Sequence, residues 1–216
     1  MAGMASSRWP LFDLRLITER LVLRPLQDTD FVALLAVVDA GIHDEDNSPF
    51  MFAWTDGEPE ERARRTMQFW WGTRANWSID NWVLGFGVFY EDRFVGVQDM
   101  TGTRFPVMKE VQTGSWLGRE FQGQGIGKEM RAAVLSFAFD SLGADIARSG
   151  ALVTNVASRG VSESVGYQEN GTDRIAPRGQ PLELVRYQLT RADWEARGLP
   201  AVTVENLEPC LVMFGL

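Results

Sequence analysis

Cysteine and histidine are almost absent from this chain of 216 residues, which has one of each, Cys210 and His43. A single cysteine excludes an internal disulfide framework and suits a reducing cytosol, so we expect a cytoplasmic protein. One cysteine and one histidine give no zinc-ligand spacing, so no metal site is predicted. We interpret Cys210 as a small apolar filler, because nothing near His43 in sequence suggests a partner for a nucleophilic thiol.

Long apolar runs and an excess of basic residues are also missing. No run approaches the roughly 18 residues of a membrane span. The first ten residues lack the apolar centre of a secretory signal, and we interpret residues 1–12 as a flexible arm. The 21 Lys and Arg against 29 Asp and Glu give a net charge of −8. This balance argues against nucleic-acid binding and is compatible with a cationic substrate, although an acidic surface also serves solubility.

The remaining composition, 45% hydrophobic and 23% charged residues, is typical of a soluble globular protein. Since no linker, repeat or low-complexity segment divides the chain, a single domain over 1–216 is predicted. The predicted strands are 18–25, 82–90, 93–101, 107–117, 145–154, 167–171 and 184–190, and the predicted helices are 30–40, 59–76, 126–142, 158–165 and 191–197. A helical crossover makes 107–117 and 145–154 parallel, whereas the hairpin at 91–92 is antiparallel.

Three glycines at alternate positions, Gly123, Gly125 and Gly127, precede the helix predicted from Ile126. A helix N-terminus has backbone N–H groups without intrahelical acceptors and carries partial positive charge. Because glycine lacks a Cβ, a phosphate can approach this main chain closely. The stretch therefore predicts an anion-binding loop. Three basic side chains near it in sequence add positive charge: Arg119, Lys128 and Arg131.

Two common phosphate motifs do not fit the spacing. A Walker-type loop ends in Gly-Lys-Ser/Thr, but Gly127 and Lys128 are followed by Glu129, and position 122 is glutamine. A dinucleotide fingerprint that starts at Gly123 or Gly125 requires glycine or alanine at position 128 or 130, where lysine and methionine stand. Both nucleotide templates are excluded on these grounds.

The spacing that fits is Gln-x-x-Gly-x-Gly, formed by Gln122, Gly125 and Gly127, and it resembles the acyl-CoA pyrophosphate loop of the GNAT acyltransferases. Downstream, residues 155–167 resemble the Asn-x-x-Ser-x-x-Val-x-Glu-x-x-Gly-Phe/Tyr segment of the same family. The run Thr-Glu-Arg-Leu-Val-Leu-Arg-Pro at 18–25 resembles the opening of the RimJ/RimL branch. The resemblance implies an α/β (α+β) GNAT fold with a mixed, mostly antiparallel sheet, a central splayed pair of parallel strands and flanking helices.

The resemblance also implies an acyl-CoA donor, acetyl-CoA or succinyl-CoA, whose pantetheine arm enters between strands 107–117 and 145–154. The cofactor-binding residues that it implies are Trp116, Leu117, Arg119, Gln122, Gln124, Gly125, Ile126, Gly127, Lys128, Asn155 and Ser158. Asn155 would hydrogen-bond the arm, but it suits a helix N-cap equally well.

Many family members protonate the leaving thiolate with a tyrosine seven residues after the motif asparagine, and Ser162 stands there in this chain. The RimJ/RimL branch implies a serine at the third position instead, which is Ser158, and a helix-cap hydroxyl is the plainer interpretation of that residue. A backbone N–H near Leu117 is the expected oxyanion donor.

The general base is left open between Glu110 on the central strand and three residues of the 42–54 loop, His43, Asp44 and Glu45. In the family this loop region borders the acceptor site. The alternative interpretation is a solvated acidic turn without a functional role. The helix at 59–76 is rich in aromatic residues, and we expect at least half of them to pack in the core rather than around an acceptor.

The leading hypothesis is an N-acyltransferase that moves an acetyl group from acetyl-CoA to a primary amine, on a small molecule or a protein N-terminus, by direct attack on the thioester. A succinyltransferase is the alternative, and it requires an arginine such as Arg104 or Arg74 for the succinyl carboxylate. From another class, a non-catalytic acyl-CoA sensor is favoured by the missing tyrosine at position 162. A homodimer is plausible because residues 211–214 are apolar.

Overall fold

One mixed sheet organises the computed structural model, which describes residues 8–44, 48–199 and 202–216. Its strand order is β7-β8-β6-β5-β4-β3-β2-β1-β9. The strands are β1 (Arg15–Ile17), β2 (Leu21–Pro25), β3 (Asn81–Tyr90), β4 (Arg93–Thr103), β5 (Glu110–Leu117), β6 (Ile146–Leu152), β7 (Gln168–Ile175), β8 (Leu182–Thr190) and β9 (Thr203–Glu205). Neighbours are antiparallel except β5 and β6, which are parallel. The predicted fold class is confirmed.

Helices pack on both faces of the sheet. They are α1 (Phe31–Ala40), α2 (Pro59–Ala75), α3 (Phe105–Met108), α4 (Ile126–Ser136), α5 (Val156–Val165) and α6 (Arg191–Ala196). Helices α1 and α2 cover the strands β3 and β4 on one face, and α4 covers β4 and β5 on the other, with α5 beside it. Of the described residues, none belongs to a helix with the length and apolar character that a membrane crossing requires.

Most of the predicted elements are confirmed, including α1, α2 and the β3–β4 hairpin. Gly41 ends α1 with φ of 104°, and Glu91 and Asp92 both have positive φ, as a tight two-residue hairpin turn requires. On α2, Trp70 is buried, whereas Phe69 and Trp71 are 57% and 43% exposed.

Two of the boundaries that differ from the prediction change the type of structure. Residues 107 and 108 belong to α3 rather than to the strand, because Pro106 begins a helical turn and Lys109, with φ of 48°, ends it before β5. The arm predicted over 1–12 is wrong for its last residues, since Pro10–Asp13 form a 3₁₀ turn with Leu11 buried. Residues 1–7 lie outside the described part of the chain.

The C-terminal residues complete the core. Strand β9 pairs with β1, and a 3₁₀ helix over Glu208–Phe214 buries Cys210 and Phe214 completely. Burial raises the pKa of the Cys210 thiol to about 11, and its Sγ donates to the carbonyl of Asn206. The interpretation of Cys210 as a core filler therefore holds.

The parallel strands β5 and β6 are paired over only three residues. Its register runs from Glu110 opposite Ile146 to Gln112 opposite Arg148, whereas β5 remains paired with β4 as far as Leu117. The second half of β5 therefore has no strand on its β6 side. This gap between residues 113–117 and 149–152 is the predicted splay.

Candidate active site

The glycine loop lies at the open end of the gap. After β5, a 3₁₀ turn over Arg119–Phe121 leads into the loop, where Gly123 and Gly125 have φ of 73° and 80°. These left-handed conformations favour glycine. At Gly127 a Cβ would lie 3.5 Å from Val161 of α5, which is an ordinary contact distance, so packing within the protein does not require glycine there. The left-handed residues Gly123 and Gly125 lead the chain from the end of β5 into α4.

The backbone N–H groups of residues 123–128 are free to bind a ligand. In the described part of the chain none of them donates a hydrogen bond, and the first amide to enter the helical ladder is that of Glu129, which donates to Gly125 at 3.1 Å. Six consecutive unpaired donors at the positive end of an 11-residue helix form a preorganised anion site.

The charged side chains around the loop differ from the predicted set. Arg119 lies at its edge but forms an ion pair with Asp44 at 2.7 Å. Lys128 is exposed and, among the described residues, forms no ion pair. Arg131 is wrong as a loop cation, because its side chain is 2% exposed and turns into the sheet.

Arg20 is a loop cation that sequence reasoning missed. It lies before β2, donates from Nη1 to the carbonyl of Gln124 at 3.3 Å, and its Nη2 is 3.4 Å from the position of a Cβ on Gly125. An ion pair with Glu129 at 2.6 Å holds it there. No local signal exists for such a residue, since about a hundred positions separate it from the loop.

Three residues of the predicted cofactor set use their side chains within the protein, although Gln124 was predicted to bind through its backbone N–H. The Gln122 amide donates to the carbonyls of Ile42 and Leu117, both at 2.9 Å, so it joins the acceptor-side loop to the end of β5. The Gln124 side chain donates to the Glu120 carbonyl. Asn155 caps α5 by accepting from the amide of Ser158 at 3.0 Å. For Asn155 the N-cap interpretation therefore describes the structure.

A buried polar cluster fills the point where β5 and β6 part, on the α4 face. The Arg131 guanidinium donates to Gln98 at 3.2 Å, to Ser149 at 3.1 Å and to Ser115 at 2.8 Å. Serines 115 and 149 belong to opposite sides of the gap. The cluster therefore ties the two strands to one fixed side chain at the apex of the splay.

The opposite face of the same strands carries Asp99. Its neighbours across β4 are Gly85 on β3 and Gly114 on β5. Burial raises the pKa of Asp99 to about 6, while Arg131 and the backbone N–H of Gly114 both act to lower it. Sequence reasoning missed Asp99, because a single aspartate within a strand carries no motif.

The described residues of the 42–54 loop, 42–44 and 48–54, lie over this second face. Four aromatic rings contact one another in sequence. The ring centroids are 5.6 Å apart for His43 and Phe50, 5.2 Å for Phe50 and Trp54, and 5.8 Å for Trp54 and Trp116. This aromatic chain walls the face of the gap that carries Asp99. Phe52 on the same loop is 74% exposed.

The predicted bases do not all lie at the gap. Glu110 stands where β5 and β6 are still paired and forms an ion pair with Arg148 at 2.7 Å. Six residues of strand, about 20 Å, separate it from Trp116. His43 uses both ring nitrogens, with Nδ1 2.7 Å from the Asp44 carbonyl and Nε2 2.9 Å from the Thr55 hydroxyl. Glu45 lies outside the described residues.

The two candidate acids lie four residues apart on α5. Ser158 is half-buried in the first turn, and its hydroxyl forms no hydrogen bond within the described residues. Ser162 is fully buried, and its hydroxyl also lacks a partner there. Neither hydroxyl is held by the protein, so both can reorient toward a ligand.

Comparison with known proteins agrees with this geometry. Residues 20–168 match the model of the acetyltransferase (GNAT) domain. The chain is 29% identical over 111 residues to the Bacillus subtilis protein named "Putative ribosomal N-acetyltransferase YdaF", a match that covers 50% of this chain and 60% of that protein.

Two solved structures with the same fold are RimJ of Mycobacterium smegmatis in complex with CoA-disulfide and RimL, a ribosomal L7/L12 alpha-N-protein acetyltransferase in complex with coenzyme A. The RimJ match has 20% identity, covers 92% of this chain and 91% of RimJ, and gives a TM-score of 0.70. The RimL match has 18% identity, covers 81% of this chain and 96% of RimL, and gives a TM-score of 0.63. With a domain match over most of its length, a splayed parallel pair and an open amide loop, the chain is a member of the GNAT acetyltransferase family.

Proposed function

We propose that this enzyme transfers an acetyl group from acetyl-CoA to a primary amine by direct attack of the amine on the thioester. The observation that carries the proposal is the row of unpaired backbone N–H groups over residues 123–128 beside an unpaired stretch of β5. A diphosphate needs the first feature, and an extended arm that carries amides fits the second.

The acyl donor would lie with its diphosphate at the loop and its thioester near Trp116 and Leu117. The amides of Gln124, Gly125 and Ile126 would bind phosphate oxygens, with positive charge from Arg20 and Lys128. Leu117 would offer a backbone N–H to the oxyanion, which is the arrangement that stabilises a tetrahedral intermediate.

The acceptor is proposed to be the α-amine of a protein or peptide. The names of YdaF, RimJ and RimL associate those proteins with ribosomal or alpha-N-protein acetylation. In this protein the aromatic chain from His43 to Trp116 offers apolar surface for the first side chains of a peptide. A small-molecule amine remains the other acceptor class.

For the proton that the leaving thiolate takes up, we retain Ser158, because its hydroxyl has no hydrogen-bond partner in the described part of the protein and the N-cap of α5 fixes its backbone. Ser162 is the second choice, since its unpaired hydroxyl is fully buried. His43 is retained as a residue that borders the acceptor. Glu110 is set aside, because Arg148 holds it at the paired end of the strands.

Succinyl transfer is disfavoured by the positions of the arginines. Arg74 on α2 is ion-paired with Asp28, and Arg104 lies beyond the far end of β4. Arg131 is near the gap, but three neutral side chains already accept its hydrogen bonds. A succinyl carboxylate would find no available arginine in the described cleft, which supports acetyl-CoA as the donor.

Thermal shift and thiol release together test this proposal. We expect acetyl-CoA to stabilise the protein at least as strongly as succinyl-CoA, and thiol release to depend on an added peptide amine. Stabilisation without thiol release on any peptide or small amine would instead identify an acyl-CoA sensor. A protein that neither donor stabilises would contradict the assignment of the loop.

Two further proposals concern assembly and location. The apolar residues 211–214 support a homodimer only weakly, because Phe214 is buried in the core of its own chain and Val212 alone among them is strongly exposed, at 68%. Light scattering would test this. The single cysteine favours a cytoplasmic enzyme.

A further inference from the structure

We propose that Asp99 is the catalytic base that removes a proton from the acceptor ammonium group. This inference rests on the proposed function, and it assigns a role that no motif in the sequence indicates. Both neighbours of Asp99 in the sheet, at positions 85 and 114, are glycine: Gly85 and Gly114. The carboxylate therefore has no side chain beside it on its own face of β3 or β5.

The carboxylate leans toward the gap. A Cβ on Gly114 would lie 2.9 and 3.0 Å from the two carboxylate oxygens, so the side chain occupies the space above that glycine. Because β5 has no β6 partner beyond Gln112, the space above Gly114 borders the open gap. On the other side, the ring of Trp70 fills the space above Gly85, since a Cβ there would lie 2.2 Å from it.

Asp99 also differs from the acids near its face of the sheet. Three acids on the segments that cover this face form ion pairs at 2.7 Å or less: Asp44 with Arg119, Asp39 with Arg62 and Asp56 with Arg178. Among the described residues Asp99 forms no ion pair. The elements packed near it present the rings of Trp70, Trp54 and Trp116. Arg131 acts on it from the other side of the sheet.

The reaction balances with Asp99 in this role. The carboxylate accepts one proton from R–NH₃⁺, and the neutral amine forms a C–N bond to the thioester carbonyl carbon. Collapse of the tetrahedral intermediate breaks the C–S bond, and the thiolate leaves. The second proton of the attacking nitrogen passes to the thiolate, and Asp99 later releases its proton to water.

The pKa of the acceptor amine sets how far uphill the proton transfer to Asp99 is. Transfer from an α-amine, whose pKa is about 8, to a base of pKa about 6 is uphill by about two units, whereas transfer from a lysine side chain is uphill by more than four. The difference comes from the amines themselves, and it makes an N-terminal α-amine the easier substrate for a carboxylate base.

The test is the pH profile of kcat/KM for thiol release from acetyl-CoA, with a short peptide carrying a free α-amine. If Asp99 is the base, the reactive pair is the carboxylate and the ammonium, so the wild-type profile is a bell between about pH 6 and pH 8. We expect Asp99→Asn to lower kcat/KM about 100-fold at pH 7. Its remaining activity should rise with pH toward the pKa of the amine and lack the limb near pH 6.

Three comparisons complete the experiment. Asp173→Asn, which changes an exposed acid on the edge strand β7, should keep the wild-type profile. Asp99→Glu should recover the acidic limb at reduced rate. Thermal stabilisation by acetyl-CoA should be the same in wild type and Asp99→Asn, which shows that the donor site is intact.

Two results would overturn the inference. Normal wild-type turnover, with Asp99→Asn within threefold of it at pH 7 and the same two limbs, would contradict the role of Asp99 alone. A wild-type enzyme that binds acetyl-CoA but releases no thiol with any amine would contradict the proposed function, and this inference with it.

Discussion

At the splay, the two faces of the sheet bury charges of opposite sign, and the two charges differ in how far the protein stabilises them. On the α4 face, the guanidinium of Arg131 is 2% exposed and donates to three neutral side chains. On the α2 face, Asp99 has a glycine on either side and no ion pair among the described residues. Hydrogen bonds compensate the first charge, whereas burial leaves the second poorly stabilised.

This difference separates a structural charge from a chemical one. A buried cation whose donors are satisfied holds its partners in place, and Arg131 thereby fixes residues on both sides of the gap. A buried acid with few donors has a raised pKa and can exchange a proton near neutral pH. The predictions that follow test the contrast.

The largest effect is expected for Arg131→Met. Its removal leaves the buried side chains of Gln98 and Ser149 without their donor, and we expect a loss of about 2–4 kcal/mol in the free energy of unfolding. The acidic limb of kcat/KM should also move to higher pH, because Arg131 lowers the pKa of Asp99. Urea denaturation and the pH profile measure the two effects.

Arg148→Met is the matched control. Arg148 lies on β6 next to Ser149, but its side chain is 41% exposed and pairs with Glu110. Its effect on unfolding should stay below about 1 kcal/mol. Equal losses for the two variants would show that Arg131 is not a special support of the gap.

Gly114→Ala should reduce activity with little loss of stability. The added methyl would lie 2.9 Å from a carboxylate oxygen of Asp99, so the carboxylate must move. We expect kcat/KM to fall about tenfold, equivalent to about 1.4 kcal/mol, with unchanged acetyl-CoA affinity. Gly72→Ala on α2 is the control, because a Cβ there would have no heavy atom within 4 Å, and activity should change less than twofold.

Asp99→Asn should stabilise the protein in a pH-dependent way. The pKa of Asp99 rises from 3.8 to about 6 on folding, so its contribution to stability is present below about pH 4 and is lost as pH rises through 6. Because the carboxylate borders the open gap, water compensates part of the cost of its charge, and we expect the variant to gain only about 1–2 kcal/mol at pH 7. Thermal unfolding at pH 4 and pH 7 measures this, and a gain of the same size at both values would contradict the assigned pKa.

The smallest effect is expected for Arg20→Ala, which removes a cation beside Gly125. The affinity for acetyl-CoA should fall a few-fold, by about 0.5–1 kcal/mol, and the difference should shrink at high salt. Arg93→Ala, which changes an exposed arginine paired with Glu120, should leave the affinity unchanged. A difference that is insensitive to salt would show that Arg20 acts through loop structure instead of charge.

Much of the fold was predictable because its signals are local. The amphipathic period after Ile126, the glycines before it and the turn at Glu91 and Asp92 each specify their own geometry. The strand boundary at β5 was missed by three residues, because the apolar residues Val107 and Met108 read as strand while Pro106 begins a helical turn.

The active-site residues were less predictable than the loop. Gln122 and Asn155 carry family motifs, yet their side chains bond the protein itself. Glu110 stands on the expected strand but at its paired end. Asp99 was not singled out, because its environment depends on glycines 14 residues before and 15 residues after it.

The sequence by itself determined the family resemblance, the order of the elements and the open amides of the glycine loop, since backbone conformation at glycines and helix starts depends on nearby residues. Only the tertiary structure decided which charges meet the gap. It placed Arg131 against the sheet, brought Arg20 to the loop and left Asp99 beside Gly114 without an ion pair among the described residues. The physical reason is that burial and pairing depend on strands that are distant in the chain, and these two quantities set the protonation of a side chain.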